Sequence, residues 1–274
     1  MSVTYTAVLE VSEDSVLLLS ELLHAERRRR GTRKGRRALG TYKQAVLVLR
    51  WLLNDTRVSA LARDNAIAVS TAYAYRDEGI AVLAARRPSL HGVLLAAKAA
   101  GHSHVIVDGT LIHTDRISTP GPTCGVDLWW SGKHRHHGGN IQVVSAPDGW
   151  PLWTSDVRPG REHDSSAARA DPGLLARITD WVSDGALALA DLGYEGEPAT
   201  FTIPVKKPKD GQLTIDEQSY NALHSALRCL GERANSLLKT TYKALRRYRG
   251  CPWHLGDIVA AALVLLHHEH RRTT

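Results

Sequence analysis

Cysteine is scarce in this chain of 274 residues: Cys124, Cys229 and Cys251 are an odd number at wide spacing, with no Cys-x-x-Cys pair. That pattern argues against zinc and redox sites, and the three are expected as reduced core or surface thiols. Long hydrophobic runs are missing too. Stretches such as Ile258–Leu266 and Val16–Leu19 fall far short of the roughly 20 apolar residues that cross a bilayer, so no membrane partner is expected. Near the N-terminus, Glu10, Glu13 and Asp14 stand where a secretion signal would carry basic residues and an apolar core. The expected compartment is the cytoplasm. What is present suffices for a folded core: 43% of residues are hydrophobic and 23% charged. A chain of this length buries roughly 75% of its unfolded surface, which excludes disorder and fibre.

The formal charge is +7, and it is unevenly placed. Residues 1–100 hold 16 Lys+Arg against 9 Asp+Glu, whereas residues 101–274 hold 19 against 19. Eight of the eleven positions from Arg27 to Arg37 are Arg or Lys, a density that repels itself unless an anion lies against it. Phosphate of nucleic acid is the expected anion, with Arg33, Lys34, Arg36 and Arg37 as contacts; the plainer alternative is a solvated linker. Gly31, Gly35 and Gly40 interrupt the run, which lacks the apolar face of a membrane-surface helix.

Residues 12–26 read as an amphipathic helix with Ser12 as its cap. Three helices follow, over Tyr42–Leu53, Val58–Arg63 and about Ser70–Ala85, with a break at Asn54–Asp55–Thr56. The last two, joined near Asn65 with Ser70 at a plausible N-cap, have helix-turn-helix spacing. Ser70, Thr71, Tyr73 and Arg76 would then face a DNA groove. An ordinary small helical bundle is the competing reading, but the adjoining basic segment and Arg86–Arg87 favour DNA.

After Pro88 a short helix, Leu90–Ala100, leads to the strand HVIVDGT. NIQVVSAPDGWPLWTSDV reads as two strands joined by a hairpin at Pro147–Asp148–Gly149. A helical region from about Asp164, a fourth strand in ALALADLGYEG, a fifth in FTIPV, a long helix over 216–248 and an apolar helix over 253–268 complete an α/β domain. Asp108 and Asp191 are each read at the C-terminal end of a buried strand. Such an acid is costly unless it is paired or binds a cation, and ligands collect at that end of an open sheet. Arg228, Glu232, Asn235 and Lys239 follow steps of four, three and four along one helix face, so Glu232 can meet both aspartates. Three carboxylates without cysteine or an obligatory histidine suit Mg²⁺ or Mn²⁺. Two such ions about 4 Å apart would serve in-line displacement at a phosphodiester.

The motifs VIVDGT, the KHRHHG loop, RPGREHD, ALADLGYEG and the R-x-x-x-E-R-x-N-x-x-L-K helix, in this order, resemble those of DDE transposases from bacterial insertion sequences, the group related to Harbinger-type transposases. The likeness spans about residues 41–250. It implies an RNase H-like fold, a mixed five-stranded sheet with flanking helices, preceded by the all-helical helix-turn-helix region. Domains are expected at 1–38 (N-terminal helix and basic arm), 39–90 (DNA recognition) and 91–274 (catalysis). The resemblance puts the metal-binding carboxylates on Asp108, Asp191 and Glu232. The implied activity is cleavage at the element's terminal inverted repeats and joining of the 3′-hydroxyl to target DNA. A homodimer on double-stranded DNA and a place in the bacterial nucleoid follow from that activity.

Other motif residues carry two readings each. In this family a His-Asp pair like His163–Asp164 lies near the active site, so His163 would touch the scissile phosphate or simply hold its loop; Asp164 is equally a helix N-cap. Lys133, His134, Arg135, His136 and His137 form a DNA-contacting flap or a solvated loop, a zinc site being the weakest reading. Lys239, Lys243, Arg246, Arg247 and Arg249 would follow the DNA backbone away from Glu232, or be solvated. Arg228 and Arg233 flank Glu232 and could hold it by ion pairing. Trp129 and Trp130 are core, or stack on an unpaired base. Two further readings compete with an active transposase: a regulator that binds DNA without catalysis, against which the three acids argue, and a nuclease without strand transfer.

Overall fold

A computed structural model describes residues 8–274; the first seven residues of the expected arm lie outside the described residues. Ser12 caps α1 (Glu13–Arg29) by accepting from the Ser15 amide. Glu13 and Asp14 occupy its first turn and Arg27, Arg28 and Arg29 its last, each sign beside the favourable pole of the helix. α2 (Thr41–Asn54) and α3 (Val58–Asp64) follow, then α4 (Val69–Ala84). These bounds lie within one or two residues of those expected. The cap of α4 does not, because Ala68 takes the N-cap position and Ser70 falls within the first turn. The joint turns instead on Ala66, whose φ of +52° reverses the chain.

The helical region encloses a polar knot. Glu78 is buried, accepts from Arg37 and from Gln44 Nε2 at 2.8 Å, and has Arg30 3.5 Å away. Arg27 donates to Leu39 O at 3.1 Å and to Gln44 Oε1. Part of the basic run is thus spent inside the fold. Glu78→Ala is expected to cost about 3 kcal/mol in chemical denaturation, because Arg37 and Gln44 lose a common acceptor. A loss under about 1 kcal/mol would show that these groups find water instead.

Past α5 (Leu90–Ala99), β1 (His104–Thr114) runs through the middle of a mixed sheet. β2 (Trp130–Ser131) is two residues long, and β3 (His136–Ser145) lies antiparallel to β1 from Ile106↔Ser145 to His113↔Gly138. β4 (Pro151–Thr154) returns along β3 through the expected hairpin, and β5 (Arg158–Pro159) pairs with β3 further along. α6 (Asp164–Arg169) and α7 (Pro172–Ser183) lead to β6 (Leu187–Leu189), parallel to β1.

Three expectations fail here. FTIPV forms an isolated bridge, Leu189↔Thr202, rather than a fifth strand. Asp108 is mid-strand, not at a strand end, because pairing with β3 carries β1 on past Gly109. The long helix divides at Cys229 into α8 (Ile215–Arg228) and α9 (Leu230–Thr241), then gives way to β7 (Arg247–Tyr248), parallel to the end of β1. Gly231 lies at this division, where an added Cβ would sit 2.7 Å from Ile106 Cγ2. The missing side chain lets α9 press onto β1.

α10 (Leu255–Glu269) is almost wholly buried and packs against α4 and α1. Glu269 accepts from the Ser12 amide at 2.8 Å and from its hydroxyl at 2.7 Å. One hydrophobic cluster runs from α1 through the sheet to α10. Among the described residues, no helix is long and apolar enough to cross a membrane. All three cysteines are free and exposed.

Candidate active site

β1 is apolar on both sides of Asp108: Val105, Ile106, Val107, Leu111 and Ile112 are buried, as befits a central strand covered on two faces. β6 pairs with it only as far as Ile106↔Leu189. Two residues beyond that pair on each strand come Asp108 and Asp191, so the place where β6 peels away sets the two carboxylates side by side. Asp191 accepts from the Gly193 amide at 2.8 Å, which fixes the turn after β6.

The pair is electrostatically strained. Burial pushes the Asp108 carboxyl up to about 6, and the charges of Asp191 and Asp164 add to the shift against Arg228 and Lys133. Asn235 on α9 donates to Asp108 Oδ2 at 2.8 Å. Lys239, one turn on, is half-buried and donates to Leu111 O at 3.0 Å; burial lowers its affinity for the proton while Asp108 opposes that. Lys239 therefore belongs to the wall of the site rather than to an outward DNA track.

Glu232 is exposed, and its side chain has no hydrogen bond or ion pair among the described residues. Arg233 turns away from it to donate to Asp148 O. The first two carboxylates are brought together; the third stays apart on the first turn of α9.

Sequence reasoning left Asp164 between two roles and passed over what holds it. His163, exposed and making no side-chain cap, stands at the N-cap of α6, while Asp164 is buried one residue on. Its Oδ1 accepts from Asn140 at 2.9 Å and its Oδ2 from Lys133 at 3.2 Å. The signal was legible in β3, where Asn140 and Gln142 alternate with Ile141 and Val143 and so share one face. Asp164 fits only because its neighbours lack side chains: a Cβ on Gly109 would collide with Oδ1, and one on Gly193 would lie 3.2 Å from Oδ2. Gly109→Ala is expected to lower stability by about 2 kcal/mol by displacing Asp164. An unchanged melting temperature would show that the carboxylate swings aside freely.

A cleft of about 800 Å³ opens here, lined among others by Asp164, Asp191, Lys133, His134, His163 and Arg161. Arg135 is exposed and His137 stands edge-on to Trp130; neither lines the cleft. Trp129 is buried against Trp253 and is core, whereas half-buried Trp130 lines the cleft.

Among the expected DNA contacts further off, Arg33, Lys34 and Arg36 are exposed, but Arg37 is engaged by Glu78. Ser70 and Tyr73 are exposed and Thr71 half-buried at the start of α4. Arg76 packs its guanidinium 4.9 Å from the Trp51 ring and 4.8 Å from the Tyr73 ring, and also binds Asp77. Lys243 sits 3.4 Å from Asn54 Oδ1, and Arg247 and Arg249 pair with Asp115 and Asp55.

Residues 107–267, more than half of the chain, match the family model of the DDE superfamily endonucleases. The chain belongs to that family. No curated protein and no solved structure matches it. Endonucleases of this family generally use divalent metal ions, and the residues of the cleft fit one chemically. Asp108 and Asp191 are hard oxygen donors, and beside Asp108 lies Asn235 Oδ1, a buried acceptor with no donor among the described residues. That set suits Mg²⁺ or Mn²⁺ over zinc. As the side chains stand, no three His, Cys, Asp or Glu among the described residues are gathered closely enough to hold an ion.

Proposed function

We propose that this endonuclease is a transposase of a bacterial insertion sequence, acting in the nucleoid as a homodimer on double-stranded DNA. It binds the element's terminal inverted repeats, cleaves a phosphodiester at the element end and joins the freed 3′-hydroxyl to target DNA. The observation that carries this reading is the pairing of Asp108 with Asp191 where β6 leaves β1, in a chain of the DDE family. Asp108, Asp191 and Glu232 are the proposed metal-binding carboxylates, Glu232 approaching from α9 as that helix settles on bound DNA. Two Mg²⁺ or Mn²⁺ ions held there would activate the attacking oxygen and neutralise the leaving one. Lys133 and His163 border the cleft where the DNA backbone would pass, Arg135 and His137 follow Lys133 along the chain, and Lys239 screens Asp108 from one side.

DNA recognition falls to residues 39–90, with the arm of residues 1–38 beside them and catalysis in residues 91–274. Val69, Ser70 and Tyr73 project from the first turns of α4 as a second helix of a helix-turn-helix would require. Arg37 and Arg76 serve as buttresses of that surface. Replacing Arg33, Lys34 and Arg36 together by alanine is expected to weaken DNA binding and to reduce its salt slope by about 0.9 per charge removed. An unaltered slope would take the arm out of the interface.

The deciding experiment is cleavage and strand transfer on an oligonucleotide carrying the element's end, in Mg²⁺ or EDTA, with wild type and Asp108→Ala. Metal-dependent joined products that vanish in the variant support the reading. Cleaved but unjoined products would make the protein a nuclease without strand transfer, and tight binding without cleavage would make it a DNA-binding regulator.

A further inference from the structure

Asp164 ends a chain of hydrogen bonds that all run one way. Tyr194 Oη donates to Gln142 Oε1, Gln142 Nε2 donates to Asn140 Oδ1 at 3.0 Å, and Asn140 Nδ2 donates to Asp164 Oδ1 at 2.9 Å. All four residues are buried. The chain begins on the 3₁₀ turn that follows Asp191 and ends between Gly109 and Gly193, the glycines that follow the two catalytic aspartates. A row of donors ending on a carboxylate fixes its orientation. For packing alone, apolar side chains of similar volume would serve as well or better.

The other oxygen of Asp164 already carries a positive charge. Lys133 reaches it at 3.2 Å from the loop bordering the cleft. An ammonium drawn to this place marks where the site favours a cation. Glu232, by contrast, makes no hydrogen bond to the pair.

We propose that Asp164 is a further cation-binding carboxylate of this active site, held ready by the Tyr194–Gln142–Asn140 chain and occupied by Lys133 until a divalent ion displaces it. The proposal rests on the metal-dependent reading given above and adds a residue to it. Lys133, once released, is free to meet a DNA phosphate at the mouth of the cleft.

Mn²⁺ binding by the full-length protein without DNA, read from the electron paramagnetic resonance of the free ion, tests it. Asp108→Asn and Asp164→Asn are each expected to weaken binding by about tenfold or more, and Asn140→Ala by a few fold, in the range seen when groups supporting a metal ligand are removed. Lys133→Gln is expected to tighten binding several-fold, since a competitor is gone. Asp164→Asn within twofold of wild type, beside a clear loss in Asp108→Asn, would overturn the proposal while sparing the broader reading. Should Asp164→Asn fail to fold, Lys133→Gln decides: unchanged or weaker binding overturns the proposal. No Mn²⁺ binding by wild type would bring down the metal-dependent reading and the proposal with it.

Discussion

Asp191→Asn is expected to reduce metal-dependent cleavage by about 10³-fold or more while leaving the affinity for DNA equal or slightly higher. The asparagine oxygen can still accept the Gly193 amide, which in the wild type lies 2.8 Å from Asp191 Oδ1, so the turn after β6 survives. What disappears is one of two negative charges facing each other across the gap beside β1. With affinity measured in EDTA, a charge removed next to DNA phosphates cannot weaken their binding by repulsion, so a fall in affinity there would indicate misfolding. Cleavage retained within tenfold of wild type would show that the reaction runs elsewhere on the chain.

Asp108→Asn should produce the opposite of the usual effect of a mutation in a sheet, a gain in stability. In the metal-free protein the Asp108 carboxyl titrates at about 6, above its ordinary 3.8. A raised acid in the folded state stabilises below pH 4, where it is protonated in both states, and that contribution is lost as pH rises through 6. At pH 8 the wild type therefore carries a penalty of about 2–3 kcal/mol, since displacing a pKa by one unit costs about 1.36 kcal/mol. The amide variant, neutral throughout and still able to accept from Asn235, escapes it. Denaturation in EDTA should show Asp108→Asn more stable than wild type at pH 8, with the difference closing by pH 4. A variant less stable at pH 8 would mean that the carboxylate is better solvated than its place on β1 implies.

The helices were the most legible part of the fold. Ser12 with Glu13 and Asp14, the break at Asn54–Asp55–Thr56, and the apolar spacing of α2 and α10 are local signals; the bounds of α2, α3, α4 and α10 fell within two residues, and α1 runs three residues past its expected end. Strands depend on partners, and there reading by residue type failed in both directions. Gly109 looked like the end of β1, yet β3 carries β1 five residues further; FTIPV looked like a strand, yet only Thr202 finds a partner. At the division near Cys229 the sequence offers only Gly231, whose contact with Ile106 lies more than a hundred residues away along the chain.

At the candidate site, Asp108 and Asp191 stood out because each acid followed an apolar run and preceded a glycine. Gly109 and Gly193 make room for a third acid, a reason that exists only in three dimensions. Asp164 itself was disguised by its place at a helix start, where an aspartate needs no other explanation. A charge density says nothing of which members pair internally, as Arg37 does with Glu78, and a place on a helix says nothing of the rings that Arg76 packs against.

The packing of α10 on α1 and α4 has a consequence for the order in which the protein is made. The helices that carry the candidate recognition surface are made before α10, yet the apolar side they need covered waits for that helix, encoded beyond residue 254. Until then Ser12 lacks Glu269 and α4 lacks its broadest neighbour. A message broken anywhere before α10 would yield a product whose N-terminal helices lack that cover. The helical bundle and the DDE domain are thus completed by the same helix.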